Sequence, residues 1–395
     1  MYQLGDPEIK KAKSSMQSPY RVMIVDDSAV IRGFIARWLK EESDIEVVSS
    51  VSNGVYALRE FEKSRPEVVI LDIEMPEMDG MTALPKLIAL DPNVKVIMAS
   101  TLTLRNADIS MKALAKGAAE YIPKPESTRK AGEKETFQRD LVSKIKILGA
   151  SRRRVSGEKS PSGTKASVAV PTKASGNTTG NPESTGLYRG APVQLRQFRG
   201  AFLPKVLAIG SSTGGPQALF SLFEGLKGKV SLPIFITQHM PPTFTAILAE
   251  HLSKISGMKC AEGVDGEIVQ NNRVYLAPGD WHMTVVKDGA DAKISLNQNP
   301  PENYCRPAVD PMLRSLGDVY GGRILTVILT GMGHDGKNGC EQIAESGGYV
   351  IAQDEESSVV WGMPGAVATS GLSNAVLPLL SIPAAVENAL TGRPS

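Results

Sequence analysis

Apolar residues along this chain fall into two alternating patterns: short continuous runs of strand length, and longer stretches apolar at every third or fourth position. Before residue 150 the short runs are "YRVMIVDD", "IEVVSSVSNG", "EVVILDIEMP", "VKVIMAST" and "AEYIPKP". Between and after them lie "AVIRGFIARWLKE", "VYALREFEKSR", "MTALPKLIAL", "DISMKALAKG" and "ETFQRDLVSKIKILG", the last with Phe137, Leu141, Ile145 and Leu148 at helical spacing. Continuous apolar strands separated by helices predict a parallel sheet covered on both faces. The alternation resumes with "KVLAIG", "ALFSLFEGL", "LPIFITQHM" and "FTAILAEHLSKI", and continues through "RILTVILTG", "GCEQIAESGG" and "YVIAQD", with a β-rich insert near residues 262–298. The expected fold class is α/β, with two doubly wound parallel-sheet domains over residues 20–149 and 203–393. Residues 150–202 are expected to link them, and residues 1–19 to form a disordered N-terminus.

Charge sharpens the division. The chain has 395 residues and a formal net charge of +2. Between Ser151 and Gly200, nine Lys or Arg stand against Glu158 and Glu183, so this segment carries +7 and the remainder −5. The segment is rich in Ser, Gly, Thr and Pro and holds few residues able to form a core, which predicts a flexible basic linker. It lacks interleaved aromatics until Tyr188 and Phe198, so nucleic acid is not an expected partner. No apolar run reaches membrane-span length, and "MYQLGDPEIKKAKSSMQSPY" lacks the apolar centre of a secretion signal, so membrane insertion is not expected either. Cys260, Cys305 and Cys340 are isolated, with no metal-binding spacing, and fit packing thiols in a reducing cytoplasm.

In parallel sheets, functional groups gather where strands end. In the first half those ends carry Asp26, Asp27, Asp72, Ser100 and Lys124. Clustered carboxylates repel one another and call for a hard divalent cation such as Mg²⁺. One of them then serves as a nucleophile toward a phosphoryl group whose charge the metal and the lysine neutralise.

In the second half, "GSSTG" fits G-x-S-x-G with Ser212 at its centre, between a predicted strand and a predicted helix. Helix N-terminal N–H groups there suit an oxyanion or a phosphate equally well, so the turn alone leaves a nucleophile and a phosphate cradle both open. A nucleophile needs a base and an orienting acid. Of the four histidines, His239 ends the next apolar run. His251 lies within an amphipathic stretch, His282 begins a strand, and His334 adjoins Asp335. Ser212, His239 and Asp335 all occupy strand-end loops, in an order that differs from ordinary α/β-hydrolases.

"VDDS", "LDIEMPEMDG", "MAST" and "KP" resemble the receiver domain of two-component response regulators over roughly residues 20–149. That resemblance implies a flavodoxin-like fold in which Asp72 accepts the phosphoryl group and Asp26, Asp27 and Asp72 hold Mg²⁺. Glu74 is a further contact position, Ser100 and Lys124 bind phosphoryl oxygens, and Tyr121 occupies the aromatic switch position. "AIGSSTGGPQAL", "ITQHMPPTFT", "YLAPGDWHM", "CRPAVDPM", "ILTGMGHDGKNG" and "AQDEESSVVWGMPGAV" resemble the chemotaxis-type protein-glutamate methylesterases across residues 203–390. This second resemblance implies a Rossmann-like domain with Ser212 as nucleophile, His239 as base, Asp335 as orienter, and oxyanion donors from Thr213 and Met332. No cofactor is expected at the esterase site. It further implies a cytoplasmic enzyme, activated by phosphorylation, that hydrolyses glutamyl methyl esters of chemoreceptors and deamidates receptor glutamines. Its phosphoryl donor would be a chemotaxis histidine kinase. Ser211 departs from the alanine common in that family, and the linker is longer than is usual there. Two rival readings are a DNA-binding response regulator, for which the second half offers no basic helix-turn-helix, and a nucleotide-binding α/β domain.

Overall fold

A computed structural model describes residues 18–101, 103–124, 131–157, 191–198 and 202–392. The first half runs β1 (Tyr20–Val25), α1 (Ala29–Lys40), β2 (Ile45–Val51), α2 (Gly54–Ser64), β3 (Val68–Asp72), α3 (Gly80–Leu90), β4 (Lys95–Ser100), α4 (Leu104–Ala115), β5 (Glu120–Pro123) and α5 (Ala131–Ser156). Ser28, Asn53, Asp79 and Thr103 start the first four helices, each side chain accepting the backbone N–H three residues on. The strands form a five-stranded parallel sheet in the order β2-β1-β3-β4-β5. The strand order reverses between β1 and β3, which opens a crevice at their carboxyl ends.

The second half runs β6 (Val206–Ser211), α6 (Gly215–Gly225), β7 (Ile234–Gln238), α7 (Phe244–Ser256), β8 (Lys259–Glu262), β9 (Arg273–Leu276), β10 (His282–Asp288), β11 (Asp291–Asn297), α8 (Val309–Tyr320), β12 (Ile324–Ile328), α9 (Lys337–Glu345), β13 (Tyr349–Gln353), α10 (Met363–Thr369), β14 (Ala375–Leu377) and α11 (Ile382–Leu390). Seven strands form a parallel sheet in the order β14-β13-β12-β6-β7-β9-β8, while β10 and β11 pair as a separate antiparallel hairpin. The β-rich insert is therefore divided between the main sheet and this hairpin. The chain moves outward from β6 through β7 and later returns to β12 on the other side, so the reversal lies between β6 and β12.

The expected linker boundary needs correcting. Helix α5 continues to Ser156, and Arg152, Arg153 and Arg154 belong to it. Arg153 is only 2% exposed and grips both oxygens of Glu67, at 2.5 and 2.6 Å, while Arg152 meets Asp91 at 3.0 Å. A bidentate guanidinium–carboxylate pair fixes these arginines, and their charge suits a helix C-terminus. At the other end of the segment, Arg196 donates to the carbonyl of Ala344 and to Asn374 Oδ1, and Phe198 packs on Tyr349. Residues 158–190, and the N-terminus up to residue 17, lie outside the described residues.

The two sheets share a boundary. Helix α4 packs on α6 and α7, and one apolar cluster runs from Met111 and Tyr121 to Phe223, Phe244 and Leu248. No helix among the described residues is long and apolar enough to cross a membrane.

Candidate active site

Four side chains of the first-half rim meet. Asp26, Asp27 and Asp72 each offer a carboxylate oxygen, all within 4.8 Å of one another. Lys124 Nζ lies 2.7 Å from Asp26 Oδ2 and 2.7 Å from Asp72 Oδ1. Burial lifts the Asp72 carboxyl to about 6 even though Lys124 pulls it down. Oxygen-only donors crowded to this degree fit a hard divalent ion. Ser100 is buried at the end of β4 and shares a 3.1 Å hydrogen bond with Ser110 of α4. Glu74 is exposed, 4.0 Å from Arg105.

The second site lies at the β6/β12 reversal. Ser212 follows β6, and the turn beyond it tolerates little bulk. Gly214 has φ 74, and a Cβ on Gly215 would sit 2.0 Å from Gln238 Oε1. Ser211 Oγ donates to Gln238 Oε1 at 2.6 Å, which turns Gln238 Nε2 toward the carbonyls of Ser212 (2.9 Å) and His239 (3.2 Å). The Ser211 hydroxyl thus stitches the serine turn to the histidine loop. Across the site, a Cβ on Gly331 would lie 2.9 Å from Ser212 Cβ. Among the described residues the backbone N–H groups of Thr213 and Met332 have no protein acceptor.

His239 Nε2 donates to Asp335 Oδ2 at 2.7 Å. Asp335 is buried and also accepts from the N–H groups of Val309 (2.6 Å), Asp310 (3.1 Å) and Gly336 (2.9 Å). Two of these donors open helix α8, an arrangement that favours a carboxylate charge. Burial opposes ionisation of Asp335, but His239 and the backbone donors outweigh it and hold its carboxyl low. Ser212 Oγ makes no hydrogen bond among the described residues; His239 Nδ1 instead meets Cys305 Sγ at 3.3 Å. Burial works against a charge on His239, yet its bonds to Asp335 and Cys305 prevail and raise the imidazole to about 10. The expectation that Cys305 is a packing thiol therefore fails, because the sequence separates it from His239 by 66 positions. Removing it should lower the proton affinity of His239. The pH at which His239 takes up its proton in Cys305→Ala is then expected to lie below the wild-type value of about 10, as read from the imidazole resonance between about pH 5 and 11. An unmoved transition would contradict this role.

His282 and His251 lie apart. His282 is buried and accepts from Ala308 N, and His251 on α7 pairs with Asp108 of α4 at 3.1 Å. That pair belongs to a larger contact between the halves. Tyr121 stacks on Phe244 with ring centroids 4.5 Å apart, and Gln217 Nε2 donates to the carbonyls of Ala118 and Ala119. Glu120 Oε2 lies 3.4 Å from Gly214 N, two residues past Ser212, and Ser143 Oγ lies 3.3 Å from Met332 Sδ. The α4–β5–α5 face of the first half therefore sits over the serine turn.

Residues 207–386 match the family described as CheB methylesterase, and residues 22–133 match the response regulator receiver domain. A Paramagnetospirillum magneticum protein named protein-glutamate methylesterase/protein-glutamine glutaminase 1 is 54% identical over 363 residues, covering 92% of this chain and 94% of its own. An Azospirillum brasilense protein with the name protein-glutamate methylesterase/protein-glutamine glutaminase is 54% identical over 376 residues, covering 92% and 91%. The crystal structure of the Thermotoga maritima CheB methylesterase catalytic domain is 40% identical and covers 47% of this chain and 98% of its own, with a TM-score of 0.46.

Proposed function

The chain belongs to the protein-glutamate methylesterase/protein-glutamine glutaminase family, with a response regulator receiver domain at its N-terminal side, and from that premise we propose that Ser212, His239 and Asp335 carry the hydrolysis and that phosphorylation of Asp72 releases it. The observation that carries this reading is the 2.7 Å His239–Asp335 pair beside the Ser212 turn at the sheet's reversal point.

Asp335 accepts the hydrogen bond from His239 Nε2–H and stays ionised, which leaves Nδ1 as the nitrogen that faces the nucleophile. In the neutral form, and once Nδ1 is free of Cys305, His239 accepts the Ser212 hydroxyl proton at Nδ1 as the oxygen attacks the glutamyl ester carbonyl. The N–H groups of Thr213 and Met332 receive the developing oxyanion, and loss of one such donor typically costs about 3 kcal/mol. His239 returns the proton to the leaving methoxide and methanol departs. The same nitrogen takes a proton from water as its oxygen attacks the acyl-serine, then passes that proton to the departing Ser212 oxygen, which frees glutamate and restores the serine. With a glutamine side chain the leaving group is ammonia.

In the receiver, Asp26, Asp27 and Asp72 would hold Mg²⁺, which offsets phosphate charge when bound. Asp72 attacks the phosphorus of a phosphohistidine on a chemotaxis histidine kinase, the P–N bond breaks to release the donor imidazole, and Lys124 and Ser100 contact the transferred oxygens. Drawing Ser100 away from Ser110 tugs on α4, which packs on α6 and α7. Tyr121 lies on the same face, stacked on the first residue of the helix that follows the His239 loop. The substrates are the cytoplasmic portions of methyl-accepting chemoreceptors, which places the enzyme in the cytoplasm. Incubation with membranes holding methylated receptors is expected to release methanol, and glutamine-bearing receptors to release ammonia. Absence of both products in the presence of Mg²⁺ and acetyl phosphate would overturn the reading.

A further inference from the structure

Behind the His239–Asp335 pair lies a second buried carboxylate that the chemistry above does not use. Asp310, in the first turn of α8, is 0% exposed. Its Oδ1 accepts from Gly339 N at 2.7 Å and its Oδ2 from Asn303 Nδ2 at 3.1 Å. The same Asn303 nitrogen donates to Asp335 Oδ1 at 2.9 Å. One amide therefore spends both of its protons joining two buried carboxylates. Asn303 reaches this position with φ 52, and its neighbour Tyr304 has φ 63, an uncommon conformation for residues other than glycine. Cys305, next along, is the residue that touches His239 Nδ1.

We propose that Asn303 and Asp310 are positioning residues of the hydrolytic site, and that the charge on Asp310, coupled to Asp335 through the Asn303 amide, governs how firmly His239 holds its proton. The inference rests on the Ser212–His239–Asp335 reading.

Two like charges this close cannot ionise independently. Asp335, richer in donors and paired with His239, keeps its charge. Burial and that neighbouring charge raise the Asp310 carboxyl to about 6. The other ionisable groups facing Asp310 are Arg314, itself tied to Glu302 at 2.6 Å, and the buried Cys340 thiol. Above about pH 6, then, a second negative charge stands behind Asp335 and favours the imidazolium; below it, that charge is gone. Removing it permanently lowers the proton affinity of His239, so the base form survives to lower pH.

The test is the pH profile of methanol release from methylated receptor membranes by the full chain. Asp310→Asn and Asp310→Ala are each expected to move the acid limb of kcat/KM down by about one pH unit, the scale of one charge at short range. Asp310→Glu, which keeps the charge, should leave the limb in place even if kcat falls. Asn303→Ala should cut kcat by about 10- to 100-fold with little change in KM, because it unlinks Asp335. A purely structural role would lower kcat and thermal stability in all the variants but leave the limb unmoved, and that result would overturn the proposal. Should the Asp310 variants not fold, the wild type still decides. The His239 imidazole resonance should show an inflection near pH 6 as Asp310 takes up its proton, and a flat response there overturns the coupling. If Ser212→Ala retains activity, the triad reading itself has failed. If Ser212→Ala is inactive while the limb stays fixed, only the Asp310 inference falls.

Discussion

Ser212→Ala is expected to reduce ester hydrolysis by about 10⁴- to 10⁶-fold, the range seen when the nucleophile of a serine triad is removed. The thermal midpoint should change little, because Ser212 Oγ makes no hydrogen bond among the described residues and its loss orphans no partner. His239→Ala should be nearly as damaging to activity, though less benign to stability, since it strips a charge-assisted bond from buried Asp335. The double variant should be hardly worse than either alone, because nucleophile and base act as one unit. Methanol release measured on the four proteins distinguishes the cases. Losses that multiply would mean the two side chains work independently, and the triad would have to be abandoned.

The second large effect concerns the receiver. Unphosphorylated enzyme is expected to be slow, because Glu120, Ser143 and Tyr121 sit against the serine turn, the Met332 loop and α7. Acetyl phosphate with Mg²⁺ should stimulate the wild type and leave Asp72→Asn at its basal rate. Weakening the contact should mimic phosphorylation. Gln217→Ala removes two bonds to the receiver and His251→Ala removes one, and each bond is worth about 1 kcal/mol, or roughly fivefold in the docked-to-undocked ratio. The two together remove three bonds and are expected to raise basal activity by about 100-fold, up to the rate of fully released enzyme, and to shrink the stimulation by the same factor, since a modification shifts an equilibrium only by its differential effect on the two states. If basal activity stays at the wild-type level in the double variant, docking is not what restrains the enzyme.

Much of this architecture is legible along the chain because parallel strands buried on both faces read as unbroken apolar runs. Their ends then name the loops where Asp26, Asp72, Lys124, Ser212 and His239 gather. Contacts that join distant segments carry no such signal. "SRRRVSG" reads as the start of a polar linker because the partner of Arg153, Glu67, lies 86 positions away. Cys305 and Asn303 sit in a polar loop without periodicity, and only the folded chain turns them toward His239 and Asp335. The three-residue strand β14 is too short to stand out, and it is recruited by pairing with β13. Asp310 looks like an ordinary helix-opening acid until the Asn303 amide is seen to bind it to Asp335.

The apolar cluster shared by the two halves carries a thermal consequence. Separating α4 and Tyr121 from α6, α7 and Phe244 exposes hydrocarbon to water, so release of the receiver has a positive heat-capacity change. Near room temperature such adhesion is driven by entropy and weakens on cooling, whereas the phosphoryl chemistry at Asp72 is not drawn from the same source. If the receiver restrains the hydrolase as proposed, that restraint is expected to be strongest when warm and to leak on cooling, so basal hydrolysis relative to the phosphorylated rate should rise as temperature falls.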